Sequence, residues 1–455
     1  MNRDPTESIA ASPMSALQIL VVAITIGLNA LDGFDVLSIS YASPGIAQEW
    51  GIDRAALGIV LSMELIGMAV GSVLLGGIAD KIGRRPTILG CLVVMSIGMI
   101  MATTTRGLVA LSIWRIVTGL GIGGMLAAIN AVAAEFSNSR RRHLSVSLMS
   151  IGYPLGAVVG GIAAARLLQG HDWRAVFYFG FAVTALLMPV VFFVVPESVH
   201  WLVRRQPAGA LDAVNRTLGR MGHLSVATLP PLATGARARS IADIFSPELV
   251  VGTVIVTLAY FLHITTFYFI VKWVPKIVVD LGFAASSAAG VLVWTNVGGA
   301  LGGTVFGLLT QRFLVKRLTI AVLLASTAMV TLFGRTPADL SQLSFICAVA
   351  GFCTNAGIVG LYAIIAQVFP THVRAFGTGF TIGVGRGGSV LAPIIAGFLF
   401  AAGFALPAVA LTMALGSSLG AIVLLFLKFE TDQPRVERET GHVVPGQASA
   451  AGHAI

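Results

Sequence analysis

Charge is scarce in this chain. Lys, Arg, Asp and Glu make up 11% of its 455 residues, apolar residues make up 56%, and mean hydropathy is +0.89. A soluble domain of this length needs far more polar surface, so a soluble globule is excluded and a polytopic membrane protein is indicated. Cysteine is nearly as rare. Cys91, Cys347 and Cys353 all fall within apolar runs, and their spacing fits neither a zinc site nor a redox pair. They read as small core residues, with no disulfide. No metal-ligand cluster, nucleophile–base pair or phosphate-binding loop occurs either, which argues against an intramembrane enzyme and implies no cofactor. What is abundant is glycine, 52 residues, suited to helices that pack through small side chains.

Twelve apolar runs reach the ~20 residues that cross a hydrocarbon core. They cover 16–42, 55–78, 87–104, 108–133, 144–168 and 175–195, then 249–271, 286–310, 318–334, 342–366, 379–402 and 405–428. The expected organisation is an all-α membrane protein: a cytoplasmic N-terminal tail (1–15), a six-helix bundle (16–195), a cytoplasmic central loop (196–248), a second six-helix bundle (249–428) and a cytoplasmic tail (429–455). The polar 197–247 stretch reads as a linker or a surface helix pair. The first run lacks a small-residue cleavage site, so no cleaved signal peptide is expected.

The formal charge of +9 would suggest nucleic acid in a soluble chain, but here it reports topology. Loops on one side hold 20 of the 29 basic residues. The other side holds seven: Arg54, Arg106, Arg166, Arg174, Lys272, Lys276 and Arg335. Basic loops stay inside, so both termini are expected to be cytoplasmic in a bacterial-type inner membrane, with no nucleic-acid partner.

The two halves align at an offset of 231 or 232. Pro44–Gly51 lies over Pro275–Gly282, Gly76 over Gly307, and Arg142 over Arg374. Two copies of six helices imply a pseudo-twofold axis along the membrane normal, with a site between the halves. The copies differ where chemistry is concerned. Asp32 aligns with His263, Asp35 with Thr266, Asp80 with Gln311, Glu135 with Gln367 and Arg115 with Cys347; Arg386 aligns with Pro154.

Leu31-Asp32-Gly33-Phe34-Asp35 lies late in the first run. A charge at mid-membrane costs about 2.5–3.5 kcal/mol on insertion scales, and at i and i+3 both acids face one side. Either they couple transport to protons, or they cap a helix end near the outer surface. Glu64, embedded in the second run, is either a further proton carrier or a cavity-lining group with a hydroxyl partner. Arg386, among Gly383, Gly385, Gly387 and Gly388, suits bidentate binding of a substrate carboxylate, against a structural ion pair. Arg115 could serve the same end or satisfy Asp32 or Asp35. His263 gains interest from its alignment with Asp32. Tyr268, with Tyr260, Phe261, Phe267 and Phe269, could stack on an aromatic ring or face lipid.

Gly76-Gly-Ile-Ala-Asp80-Lys-Ile-Gly83-Arg84-Arg85 joins the second and third runs. Gly76 and Gly83 permit a tight turn, and Asp80 can pair with a base. Together with Arg84, Arg142 and Glu135 it reads as a latch that closes the cytoplasmic face. This loop resembles the signature of the major facilitator superfamily. Arg115-Ile-Val-Thr-Gly119-Leu-Gly121-Ile-Gly123-Gly124 is similar to its fourth-helix motif, and Pro196-Glu197-Ser198 to its signature after helix six. Asp32-Gly33-Phe34-Asp35 narrows the resemblance to the aromatic acid:proton symporters. That implies proton-coupled import of a small organic anion, such as a 4-hydroxybenzoate-like carboxylate, by a monomer using alternating access. A carrier of sugar acids or dicarboxylates is the alternative, and a transporter-shaped receptor a remote one.

Overall fold

The computed structural model describes residues 4–231, 241–370 and 373–427. A short helix, α1 (Pro5–Ala11), comes first. Six spans follow: α2 (Ala16–Trp50), α3 (Arg54–Ile82), α4 (Arg84–Thr103), α5 (Leu108–Glu135), α6 (Arg142–Leu167) and α7 (Arg174–Val194). Helices α8 (Val199–Arg205) and α9 (Ala210–Arg220) and a 3-10 turn (Ile241–Phe245) form the connector. Six further spans complete the fold: α10 (Val250–Asp280), α11 (Ala285–Leu309), α12 (Val315–Phe333), α13 (Leu340–Val368), α14 (Arg374–Ala401) and α15 (Leu406–Leu425). All twelve long helices are apolar enough to cross a membrane, and no strand occurs among the described residues.

Sequence places the helix ends. Ser15 and Gln18 form a reciprocal capping box at the start of α2 (Ser15 N–H to Gln18 Oε1, 2.8 Å), and Asp53 caps α3 by accepting from Ala56 N–H at 2.7 Å. Helices α2 and α10 both overrun the expected runs, by eight and nine residues, through buried Pro44 and Pro275. Pro44 removes the N–H that would bond the Ser40 carbonyl, and the Ser43 hydroxyl donates to that carbonyl instead (2.9 Å). Both overruns stop at repeat-equivalent glycines in the left-handed region, Gly51 (φ 58°) and Gly282 (φ 98°).

The halves are built on the same interlock. A Cβ on Gly67 of α3 would lie 2.2 Å from the Ile116 carbonyl of α5, and one on Gly119 of α5 would lie 2.1 Å from the Glu64 carbonyl of α3. At the equivalent positions, Gly298 of α11 sits on the Ala348 carbonyl of α13, and Gly351 on the Thr295 carbonyl. Backbones in near contact replace the solvent-driven burial that lipid cannot supply.

Within the expected tail, residues 4–15 are anchored: α1 buries Ile9, and Ser139 N–H and the Asn138 amide bond the Ala10 and Ser12 carbonyls. The expected tail 429–455 and connector residues 232–240 lie outside the described residues.

Contacts between the two sets of six spans run from the middle of the molecule to one end. Arg54 pairs with Asp280 at 3.0 Å, Ser62 Oγ donates to the Val390 carbonyl at 2.7 Å, and Gly58 packs on the Pro393 carbonyl. At the opposite, Asp80 end the described ion pairs stay within one half. Arg84 bonds Asp80 (2.7 Å) and Glu135 (3.0 Å), and the Glu197 carboxylate accepts from the Arg84 N–H (2.9 Å). The expected latch therefore ties α3, α4, α5 and the α7–α8 turn to one another, and it does not bridge the halves. Arg142, placed in that latch by sequence, makes no ion pair with its acids. Burial raises the Glu197 pKa above the ordinary carboxylate range, against three backbone N–H donors that lower it. Gly83 at the junction has φ 114°, and a Cβ there would strike Glu197 Oε2. Gly76 lies within α3; its surroundings lie outside the described residues.

Replacing Gly67 by alanine is expected to cost about 1–3 kcal/mol, since the added methyl group meets backbone. Gly90→Ala, where a Cβ meets nothing within 4 Å, is the neutral control. Thermal unfolding in detergent micelles measures both; equal midpoints would refute the interlock as a stability determinant.

Candidate functional site

The first-run acids are far from a helix end, because α2 continues fifteen residues beyond Asp35 to Trp50. Both are buried, Asp32 at 2% exposure and Asp35 at 0%. None of their four carboxylate oxygens has a hydrogen-bond partner among the described residues. Gly33 between them lets α6 approach, its Cα facing the Tyr153 carbonyl. The helix-capping alternative is thereby excluded.

The α3–α5 interlock sets a second acid beside a base. Glu64 and Arg115, both fully buried, pair at 2.5 Å. Arg115 also donates to the Asp35 carbonyl (3.0 Å) and lies 5.3 Å from the centre of the Phe177 ring. So Arg115 contacts the backbone of Asp35, and its carboxylate partner is Glu64. Glu64 in turn has cations as neighbours, where a hydroxyl was one of the expectations. In the second half the equivalent positions hold Thr295 and Cys347, both buried and uncharged. The same interlock thus exists with and without charge.

Lys272 is the residue that sequence reading misplaced. Counted above as a loop residue, it is fully buried within α10, donates to the Val36 carbonyl of α2, and lies 3.7 Å from Glu64. It crosses from the second half into the first. The apolar run breaks at Lys272, which hid it. The signal was Pro275, whose alignment with a Pro44 inside α2 placed Lys272 within a helix as well.

Arg386 of α14 reaches across the same junction and donates to the Met68 carbonyl (3.3 Å). Next to it in α14, Gly385 packs on the Tyr260 ring of α10. Tyr260 and Tyr362 join hydroxyl to hydroxyl at 3.2 Å, with ring centres 5.7 Å apart. Tyr268 packs against the apolar clusters of both halves. Tyr260 and Tyr268 of α10 thus lie along the junction that Arg386 crosses. Three acids (Asp32, Asp35, Glu64) face three bases (Arg115, Lys272, Arg386), and the fully ionised cluster is electrically neutral.

His263 stands apart, inside the second half. Nε2 lies 2.8 Å from the Thr354 carbonyl and must donate to it, leaving Nδ1 to accept the Ser417 hydroxyl at 2.9 Å. Thr266, opposite Asp35 in the repeat, bonds the Met413 carbonyl at 2.7 Å. Where the first half leaves Asp32 and Asp35 without hydrogen bonds, the second half saturates their counterparts.

The profile of the Major Facilitator Superfamily matches residues 25–333 and 256–451. The chain belongs to that superfamily. It is accordingly a multi-pass membrane transporter and no enzyme. Among curated superfamily relatives, a gallate transporter of Pseudomonas putida is 29% identical over 418 residues, covering 91% of this chain and 92% of its own. The 4-hydroxybenzoate transporter PcaK of the same organism is 29% identical, with 85% and 87% covered. Among solved structures, a D-xylose–proton symporter superposes with a TM-score of 0.69 at 17% identity, over 90% of this chain and 96% of its own. At that identity the likeness speaks for the superfamily fold alone.

Removing one member of a buried ion pair costs about 3–5 kcal/mol, because a charge is stranded. Arg115→Met is expected to lose that much thermal stability, and Glu64→Gln with Arg115→Met to recover most of it. Unfolding midpoints of the two variants decide; a double variant no better than the single one would show that packing, and not charge, sets the loss.

Proposed function

We propose that the protein imports a small aromatic carboxylate together with protons, by alternating access between its two halves. The observation that carries this reading is the presence of Arg386, Tyr260, Tyr268 and two buried aspartates without hydrogen bonds along the junction of the halves. Arg386 binds the substrate carboxylate through its planar fork, with Tyr268 beside the ring. Tyrosine faces and hydroxyls suit hydroxylated rings better than aliphatic acids, and the relatives named for gallate and 4-hydroxybenzoate support the same choice. His263 is left out of the binding set, since both its nitrogens are engaged elsewhere.

Proton coupling follows from charge balance. A carboxylate entering a neutral cluster brings one uncompensated negative charge into a low-dielectric site. A proton on Asp32 or Asp35 restores neutrality, and those two have oxygens free to take it. Glu64 is held between Arg115 and Lys272. With the termini and basic loops cytoplasmic, the Arg54 end faces outward and is closed, and the Asp80 cluster stiffens the inner end of the first half.

In proteoliposomes, an imposed inward proton gradient is expected to drive accumulation of radiolabelled 4-hydroxybenzoate, and a protonophore to abolish it. Asp32→Asn should keep counterflow exchange but lose gradient-driven accumulation at least about tenfold, and Arg386→Gln should lose both. Full uphill uptake by Asp32→Asn with unchanged proton dependence would remove Asp32 from the coupling.

A further inference from the structure

A cavity lies apart from the central cluster, at the Arg54 end. It encloses about 180 Å³ and is lined by Arg54, Trp273, Ile277, Asp280, Phe400 and neighbouring leucines. That volume suits one small ring rather than a larger ligand. Its walls are aromatic: Trp273 and Phe400 have ring centres 5.0 Å apart, and the Arg54 guanidinium lies 5.1 Å above Phe400. Its charge is unbalanced. Arg54 and Lys276 both pair with Asp280, two cations on one carboxylate. The pair is also accessible, with the Arg54 side chain 43% and Asp280 28% exposed. Ion pairs this exposed contribute little net stability, so Asp280 is readily exchanged for another carboxylate.

We propose that this cavity is an outer binding site for the transported aromatic carboxylate, in which the anion takes Arg54 from Asp280 and the ring lies against Phe400 and Trp273. Arg54 belongs to the first half; Asp280, Trp273 and Phe400 belong to the second. Occupation therefore breaks an ion pair that joins the halves at this end, while Lys276 keeps Asp280 neutralised. The inference rests on the aromatic-carboxylate reading above.

The test is calorimetric titration of the purified full chain with 4-hydroxybenzoate, alongside uptake kinetics. Arg386→Gln, or Arg386→Lys if the first is not recovered folded, should lose transport yet still bind. Adding Arg54→Gln to it should abolish that binding. Alone, Arg54→Gln or Phe400→Leu should raise the uptake KM about tenfold. If wild type binds and transports but the Arg386 variants bind nothing, there is a single central site and the outer one is refuted, with the proposed function intact. An unchanged KM in both outer variants refutes it equally. A wild type that neither binds nor transports 4-hydroxybenzoate or other benzoates overturns both readings.

Discussion

The pairing of Glu64 with Arg115 in a place water does not reach is the constraint on which the centre of this molecule rests. Neither charge is tolerable alone, so α3 and α5 are held at the separation that keeps the two in contact. From there the order spreads outward. Arg115 fixes α2 through the Asp35 carbonyl, and Lys272 brings α10 against both α2 and Glu64. The Asp32 and Asp35 carboxylates have no hydrogen-bond partner among the described residues, and Glu64 has only its ion-pair contacts with Arg115 and Lys272. The second half shows that the fold itself asks for none of this. Thr295 and Cys347 fill the same interlock, buried and uncharged. The charges of the first half are therefore additions to a scaffold that packs without them.

Much of the fold was legible in the residues. Hydropathy alone separates twelve spans, because lipid demands long uninterrupted apolar helices and short polar turns. The overruns of α2 and α10 were missed for the same reason: hydropathy falls at Ser43 and Lys272, although the helix continues where neighbouring helices replace lipid. The repeat carried the correction, since matched prolines and matched terminal glycines imply matched helices.

The site was legible in its members but not in its pairings. Asp32, Asp35, Glu64, Arg115, Arg386 and Tyr268 stand out as polar groups in apolar runs, and all converge on the junction. Which base meets which acid depends on helix rotation, and sequence spacing does not encode it between separate helices. That is why Glu64 emerged as the partner of Arg115, and why His263, equivalent to Asp32 by alignment, proved to be saturated by Thr354 and Ser417. Alignment within the repeat reports position; the side chains facing that position decide its chemistry.

The distribution of charge also bears on how the halves hold together. The three acids of the cluster come from the first half, with Arg115 beside them, while Lys272 and Arg386 come from the second. Were every group ionised, the first half's share of the cluster would carry two negative charges in excess and the second half's two positive, an attraction across the junction in a low-dielectric setting. Any separation of the halves at the Arg54 end has to withdraw Lys272 from Val36 and Glu64 and release Arg54 from Asp280. Each proton taken up by an acid removes part of that attraction, and each anion received supplies a competing partner for the bases. On the proposed reading, closure of such a cluster and its occupancy by protons and anions are linked by Coulomb's law, with no separate relay between them.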